Sequence, residues 1–231
     1  MNQHLIAPKD ASGALYFLPG QYLFKQIDED GKEKTKALSS GQISRAFRDF
    51  QTDTGWLERR VLRYSEKPEG NAFLSFEPAA LRRIFVETDY GEIQKLKLPL
   101  PALILLGMGT DYFLWSAKAK RKITPGTHLA VAPLPNVGGE FNGKVCFGKN
   151  EVPEARAENI NAVWDLIFNA PFNRDHQTQK CKSYPKDVRK LLFSLSENNK
   201  KTFPSSELIV STTTVENVWE RIIEEKNGGY F

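Results

Sequence analysis

Apolar residues recur along this chain with two different spacings, and each change of spacing marks a change of element. Residues 15–24 are apolar around Pro19-Gly20, with Asp28, Asp30 and Gly31 just beyond. Turn formers inside and after a short apolar run predict a small N-terminal β-element. Ile43, Ala46, Phe47 and Phe50 then fall at i, i+3, i+4 and i+7. That is one face of a helix, predicted over 42–51 behind Ser39 and Ser40. From 64 to 132 the period shortens. Strands are predicted at 72–76, 83–87, 102–107, 112–117 and 128–132. Turn formers such as Pro68-Glu69-Gly70, Asp89-Tyr90-Gly91 and Pro125-Gly126 separate most of them. The pattern reads as an antiparallel meander, and the unbroken apolar run 100–106 as a strand buried on both faces.

The segment 133–153 shows no period and holds Gly138, Gly139, Gly143 and Gly148. Loops this long inside a compact domain are often functional. Helical spacing returns at 157–168, where Ile160, Val163, Trp164, Ile167 and Phe168 form one stripe, and Pro171 ends it. A helix over 185–197 would carry Pro185 in its first turn. A last helix over 214–226 follows Thr213 and Glu216, which fit a capping box, and its predicted buried face is Val215, Val218, Trp219 and Ile222. Trp164 and Trp219 read as core residues. Strands collected before helices predict an α+β fold rather than α/β. The expected organisation is a β-element over 1–38, a core over 39–175, and a C-terminal helical extension over 176–231 packed on that core.

Composition removes several classes. With 40% hydrophobic and 26% charged residues in 231, the chain is neither disordered nor collagen-like. Its net charge of +4 comes from 32 Lys and Arg against 28 Asp and Glu. Lys32, Lys34 and Lys36 form one cluster; Lys118, Lys120, Arg121 and Lys122 form another. Both sit beside turn residues and read as solvated loop charge, so no nucleic-acid partner is expected. The stretch 98–108 holds two prolines and is too short to span a membrane. Residues 1–10 lack the apolar core of a signal peptide. A soluble, cytoplasmic protein without a membrane partner is expected.

Candidate chemistry centres on the glycine-bearing loop. Cys146 lies ten residues after Asn136. A thiolate can attack an acyl carbon, and a side-chain amide can donate to the oxyanion that forms. The same residues also fit a small buried thiol and a turn asparagine. A Cys–His hydrolase would have to recruit His128 or His176 through space. Two cysteines and three scattered histidines have no zinc-ligand spacing, and no phosphate-binding glycine loop is present. No metal or organic cofactor is expected. Cys181 sits between Lys180 and Lys182, cations that could lower a thiol pKa, though an incidental thiol fits equally.

Leu134-Pro135-Asn136-Val137 followed by Gly143-Lys144-Val145-Cys146 resembles the active-site signature of ubiquitin-conjugating enzymes, His-Pro-Asn-Val then Gly-x-Val-Cys. The helix at 157–169 and Ala170-Pro171-Phe172-Asn173-Arg174-Asp175 resemble that family's stretch from crossover helix to acidic loop. A bacterial branch is closer: the sequence resembles prokaryotic conjugating-enzyme family D, the PRTRC-system protein B family. Leu98-Pro99-Leu100-Pro101-Ala102-Leu103, Ala132-Pro133, Gly143 to Gly148 and Pro153 carry that likeness. Leu134 stands in place of the family histidine, two extra residues lengthen the interval from asparagine to cysteine, and Gly148 follows the cysteine closely.

The resemblance implies a UBC-like core and a conjugating enzyme that carries a ubiquitin-like modifier as a thioester on Cys146. It implies Asn136 as oxyanion donor and Asp175 as the group that orients or deprotonates an acceptor amine. The implied partners are the modifier, an activating enzyme and a JAB-type peptidase. The alternative is a non-catalytic module on the same fold, scaffolding a PRTRC-type or defence complex.

Overall fold

The computed structural model describes residues 13–19, 21–27, 32–43, 60–65, 71–118, 122–139 and 142–225. The chain divides into two compact units, residues 1–55 and 56–231. In the first, β1 (Gly13–Leu18), β2 (Gln21–Ile27) and β3 (Glu33–Leu38) form an antiparallel sheet in chain order. Pairing of β1 with β2 closes at Leu18 and Gln21, so only Pro19 and Gly20 join them. The register puts Phe17 opposite Tyr22, with their rings edge to face at 5.6 Å. Residues 40–43 are helical. Their start is fixed reciprocally: Ser39 N–H donates to Gln42 Oε1 (2.9 Å) and Gln42 N–H to Ser39 Oγ (3.3 Å). The remainder of the helix predicted to 51, and the turn at 28–31, lie outside the described residues.

The second unit is built on β4 (Val61–Ser65), β5 (Ala72–Glu77), β6 (Ala80–Glu87), β7 (Ile93–Leu100), β8 (Ala102–Met108), β9 (Asp111–Ala117) and β10 (His128–Val131). After the long loop come α1 (Ile160–Asn169), β11 (Pro171–Phe172), α2 (Arg189–Glu197), β12 (Val210–Thr214) and α3 (Val215–Glu225). Six strands form one sheet in the order β12-β10-β9-β8-β5-β4. The order is α+β and UBC-like, as the sequence predicts.

The meander is not continuous. β5 pairs directly with β8, Glu77 opposite Leu103, and the hairpin β6–β7 leaves between them to make a separate sheet with β11. Pro78 and Pro101 stand at the two corners. Neither has an N–H, so neither can extend the ladder it interrupts. Pro99 is tolerated inside β7 because that strand is an edge. Two carboxylate–guanidinium contacts and one cation–ring contact tie the layers together at this corner. Buried Glu77 is paired with both Arg60 and Arg82, and Arg82 lies over the Phe168 ring at 4.5 Å.

The central strands are buried on both faces, as the run 100–106 predicts. Leu103 and Leu105 face one apolar cluster; Ile104 and Leu106 face another. The first cluster holds β6, β7, the stripe Ile160, Val163, Trp164, Ile167 and Phe168, and Leu191, Leu192 and Leu195 of α2. The second is closed by Val215, Val218 and Trp219 of α3; the Ile222 side chain lies outside the described set. Trp164 Nε1 donates to the buried Ser75 Oγ (2.8 Å), which fixes α1 across β5.

Several boundaries differ from expectation. α2 starts at Arg189, not Pro185, because 185–188 is a turn in which Asp187 Oδ1 accepts the Arg189 N–H at 2.9 Å. The last helix is capped one residue later than read. Thr214 and Asn217 form the reciprocal pair (Thr214 N–H to Asn217 Oδ1, 3.0 Å; Asn217 N–H to Thr214 Oγ1, 3.3 Å), because Thr214, the last residue of β12, directly precedes the first helical residue, Val215. Among the described residues, no helix is long and apolar enough to cross a membrane.

Candidate active site

The loop after β10 is long in sequence and short in space. Leu134, where the resembled signature has histidine, is fully buried in the first cluster, so apolar packing anchors the loop entry. Val137 and Val145 then form an antiparallel bridge, and Gly138 N–H donates to Lys144 O at 2.6 Å. Among the described residues, 138–139 and 142–144 lie beyond this neck. The Cys146 N–H donates to Asn136 O at 2.7 Å. The two extra residues therefore do not separate the asparagine from the cysteine.

The return limb of the loop is laid along β9. Leu114 N–H donates to Gly143 O (2.7 Å) and Val145 N–H to Tyr112 O (2.8 Å). Gly143 is required there. Its φ is +68°, and a Cβ would stand 2.6 Å from Trp115 Cε2. Tyr112 OH donates to Pro153 O (2.7 Å) and ties down the loop exit, and burial raises that phenol's pKa.

Cys146 is exposed. It lines a groove of about 300 Å³ whose floor includes Val137, Val145, Ile167 and Phe172 and whose rim carries Asn136 and Asn173. Asn136 sits at φ +58°, a left-handed conformation that asparagine tolerates better than most residues. Its amide reaches across the groove mouth: Nδ2 donates to Pro171 O (3.2 Å), and Oδ1 accepts the Asn173 N–H (3.1 Å). Its own N–H donates to Asp175 O at 2.8 Å. One asparagine thus joins the cysteine limb to the loop after α1.

Asp175 is exposed, and its N–H donates to Asn173 Oδ1 (2.7 Å). It lies two residues beyond Asn173 and outside the groove lining. His176 follows it, and His128 starts β10 opposite Thr214; neither histidine is among the described residues that line the groove. Cys181 is the opposite of Cys146. It is fully buried, and its Sγ donates to Tyr184 O (3.4 Å). Burial pushes its pKa up to about 11. Its lysine neighbours do not lower that pKa: Lys180 Nζ is turned to Val137 O and Gly138 O, Lys182 is exposed, and desolvation of the thiolate dominates.

Three participants are not marked in the sequence. Glu87, at the end of β6, lines the groove and pairs with Arg174 (3.3 Å). Arg189, nearly buried, pairs with Asp187 (2.7 Å) and Asp89 (2.8 Å) and donates to Glu87 O (2.8 Å), fixing that end of the hairpin to α2. Lys180 is fully buried; its Nζ donates to Val137 O (2.5 Å) and Gly138 O (2.7 Å), directly at the loop neck. Burial lowers its pKa to about 8. Spacing gives no signal for it, since Lys182, two positions on, is exposed.

An α+β core with a cysteine-bearing loop between the last strand of the meander and an amphipathic helix defines a conjugating-enzyme-like protein. The chain belongs to prokaryotic E2 family D, whose family model matches residues 34–211. Comparison with curated proteins and with solved structures finds no match.

Proposed function

We propose that this protein is a conjugating enzyme for a ubiquitin-like modifier, with Cys146 as its acceptor thiol. The observation that carries the reading is an exposed cysteine at the rim of an open groove, with its main chain hydrogen-bonded to Asn136. The Cys146 thiolate attacks the modifier's acyl carbon on the activating enzyme, and the activating enzyme's sulfur leaves. In discharge an acceptor amine attacks the new thioester, the Cys146 sulfur leaves, and Asp175 takes the amine proton. Asn136 keeps one amide N–H beyond the bond to Pro171 O, and the proposal gives that proton to the oxyanion. An activating enzyme, the modifier and a JAB-type peptidase are the proposed partners, in the cytoplasm.

The test is incubation with a cognate activating enzyme, ATP and modifier. A reductant-sensitive adduct is expected on the native protein and on Cys146→Ser a reductant-stable ester or no adduct. Cys181→Ala should charge normally. Asn136→Ala should charge but discharge to lysine roughly 10²–10³-fold more slowly. An adduct that survives Cys146→Ala removes the nucleophile assignment. An exposed thiol that is never charged points to the scaffolding module instead.

A further inference from the structure

The second unit holds another hollow, about 360 Å³, that shares no lining residue with the cysteine groove. It opens where the chain turns its corners: the start of β6, the junction of β7 and β8 at Pro99 and Pro101, the end of β9, and the segment after α2. Leu100 and Leu208 give it a buried apolar floor, and Phe203 a wall. A concave apolar site of this size, with a few polar groups at one edge, is the ordinary form of a small-molecule site.

The polar groups at this edge are of one kind. Lys118 and Lys201 line it, with Thr202 and Ser205 beside Lys201, and no acidic residue is among the described residues that line it. Among the described residues, neither ammonium has an ion-pair partner, and neither hydroxyl has a hydrogen-bond partner. The basic run noted in the sequence starts here with Lys118, although Lys120 and Arg121 lie outside the described residues. Two ammonium groups and two hydroxyls without partners, set over an apolar floor, match a ligand that is greasy at one end and anionic at the other.

We propose that this hollow binds an apolar monocarboxylate, its hydrocarbon body against Leu100, Phe203 and Leu208 and its carboxylate between Lys118 and Lys201. The test titrates octanoate into the ¹⁵N-labelled full-length protein and follows amide shifts. Saturable shifts are expected at Ala102, Ala117 and Leu208. Hexanoate, two methylenes shorter, should bind about fifteenfold more weakly, since each buried methylene carries roughly a fourfold change in affinity. Octanol, which keeps the body and loses the charge, should bind at least about tenfold more weakly. Lys118→Glu/Lys201→Glu should weaken octanoate by at least about tenfold and leave the rest of the spectrum unchanged, because both side chains are exposed. Equal binding of octanol and octanoate, indifference to the charge reversal, shifts centred elsewhere, or no saturable shift at millimolar octanoate would each overturn the proposal. None of these readouts depends on Cys146.

Discussion

At Cys146 and Cys181 the same thiol meets opposite surroundings. One lies open on a groove; the other is sealed in the core with its pKa raised to about 11. A disulfide-exchange reagent should therefore titrate one thiol in the native protein and the second only in denaturant. Cys146→Ala should abolish the native signal. Two fast thiols in the native state would contradict the burial of Cys181.

Lys180 is the other residue whose surroundings set a measurable property. Its pKa is about 8 in the folded chain against 10.5 for the free side chain. The unfolded chain binds more protons between those values, so on this group alone stability rises as pH climbs from about 8 to about 10.5. The gain is up to about 3 kcal/mol. Cys181 works in the other direction: its folded pKa is raised, so its contribution is lost as pH rises from about 9 to about 11. Urea unfolding of Cys181→Ala against Cys181→Ala/Lys180→Met, from pH 7 to 10.5, isolates the lysine. The difference between the two should widen with pH in favour of the protein that keeps Lys180. A pH-independent difference would show that the ammonium is not desolvated at the neck.

At the scale of elements, the loop from β10 to α1 owes its shape to the bridge at Val137 and Val145 and to Gly143 packed under Trp115. Gly143→Ala should destabilise the protein by about 2–4 kcal/mol, from a left-handed backbone on alanine plus the overlap with the indole. Denaturant unfolding followed by tryptophan emission reads the loss. A change below about 0.5 kcal/mol would mean the loop relaxes away from β9.

The same elements show what sequence could and could not carry. The stripe from Ile160 to Phe168 is legible because a helix face repeats within a few residues. The double burial of 102–106 is legible because it removes polar residues from both faces of one strand. The departure of β6–β7 from the meander is not legible: register is decided by Glu77 meeting Leu103, partners distant in sequence. β4 gives no signal in the sequence because Val61–Ser65 is short and nearly half polar. Cys146 and Asn136 stand in a local motif, but the Asn136 contacts to Pro171 and Asn173 arise 35 and 37 residues away. Lys180 is hidden for the same reason, since the carbonyls that accept its protons belong to Val137 and Gly138.

At the scale of the whole second unit, one sheet separates two apolar clusters, with α1 and α2 in the first and α3 in the second. Truncations in different clusters should therefore act independently. Leu192→Ala should cost about 2–5 kcal/mol and Val218→Ala about 1–3 kcal/mol. The double variant should equal their sum within about 0.5 kcal/mol. A coupling above about 1 kcal/mol, read from urea melts of the four proteins, would show that strain crosses the sheet.

The neck at Val137 and Val145 makes the tip beyond it a place to graft. Gly138 and Lys144 close the neck by a main-chain bond, and Asn142 N–H returns to Gly139 O at 2.9 Å. A foreign peptide spliced between Gly139 and Asn142 meets a loop whose ends are already held together. Each doubling of its length then adds only about 0.6 kcal/mol of closure entropy. A short epitope inserted there should leave the Cys146 N–H on Asn136 O, so the chain can be tagged without disturbing the main-chain support of the thiol.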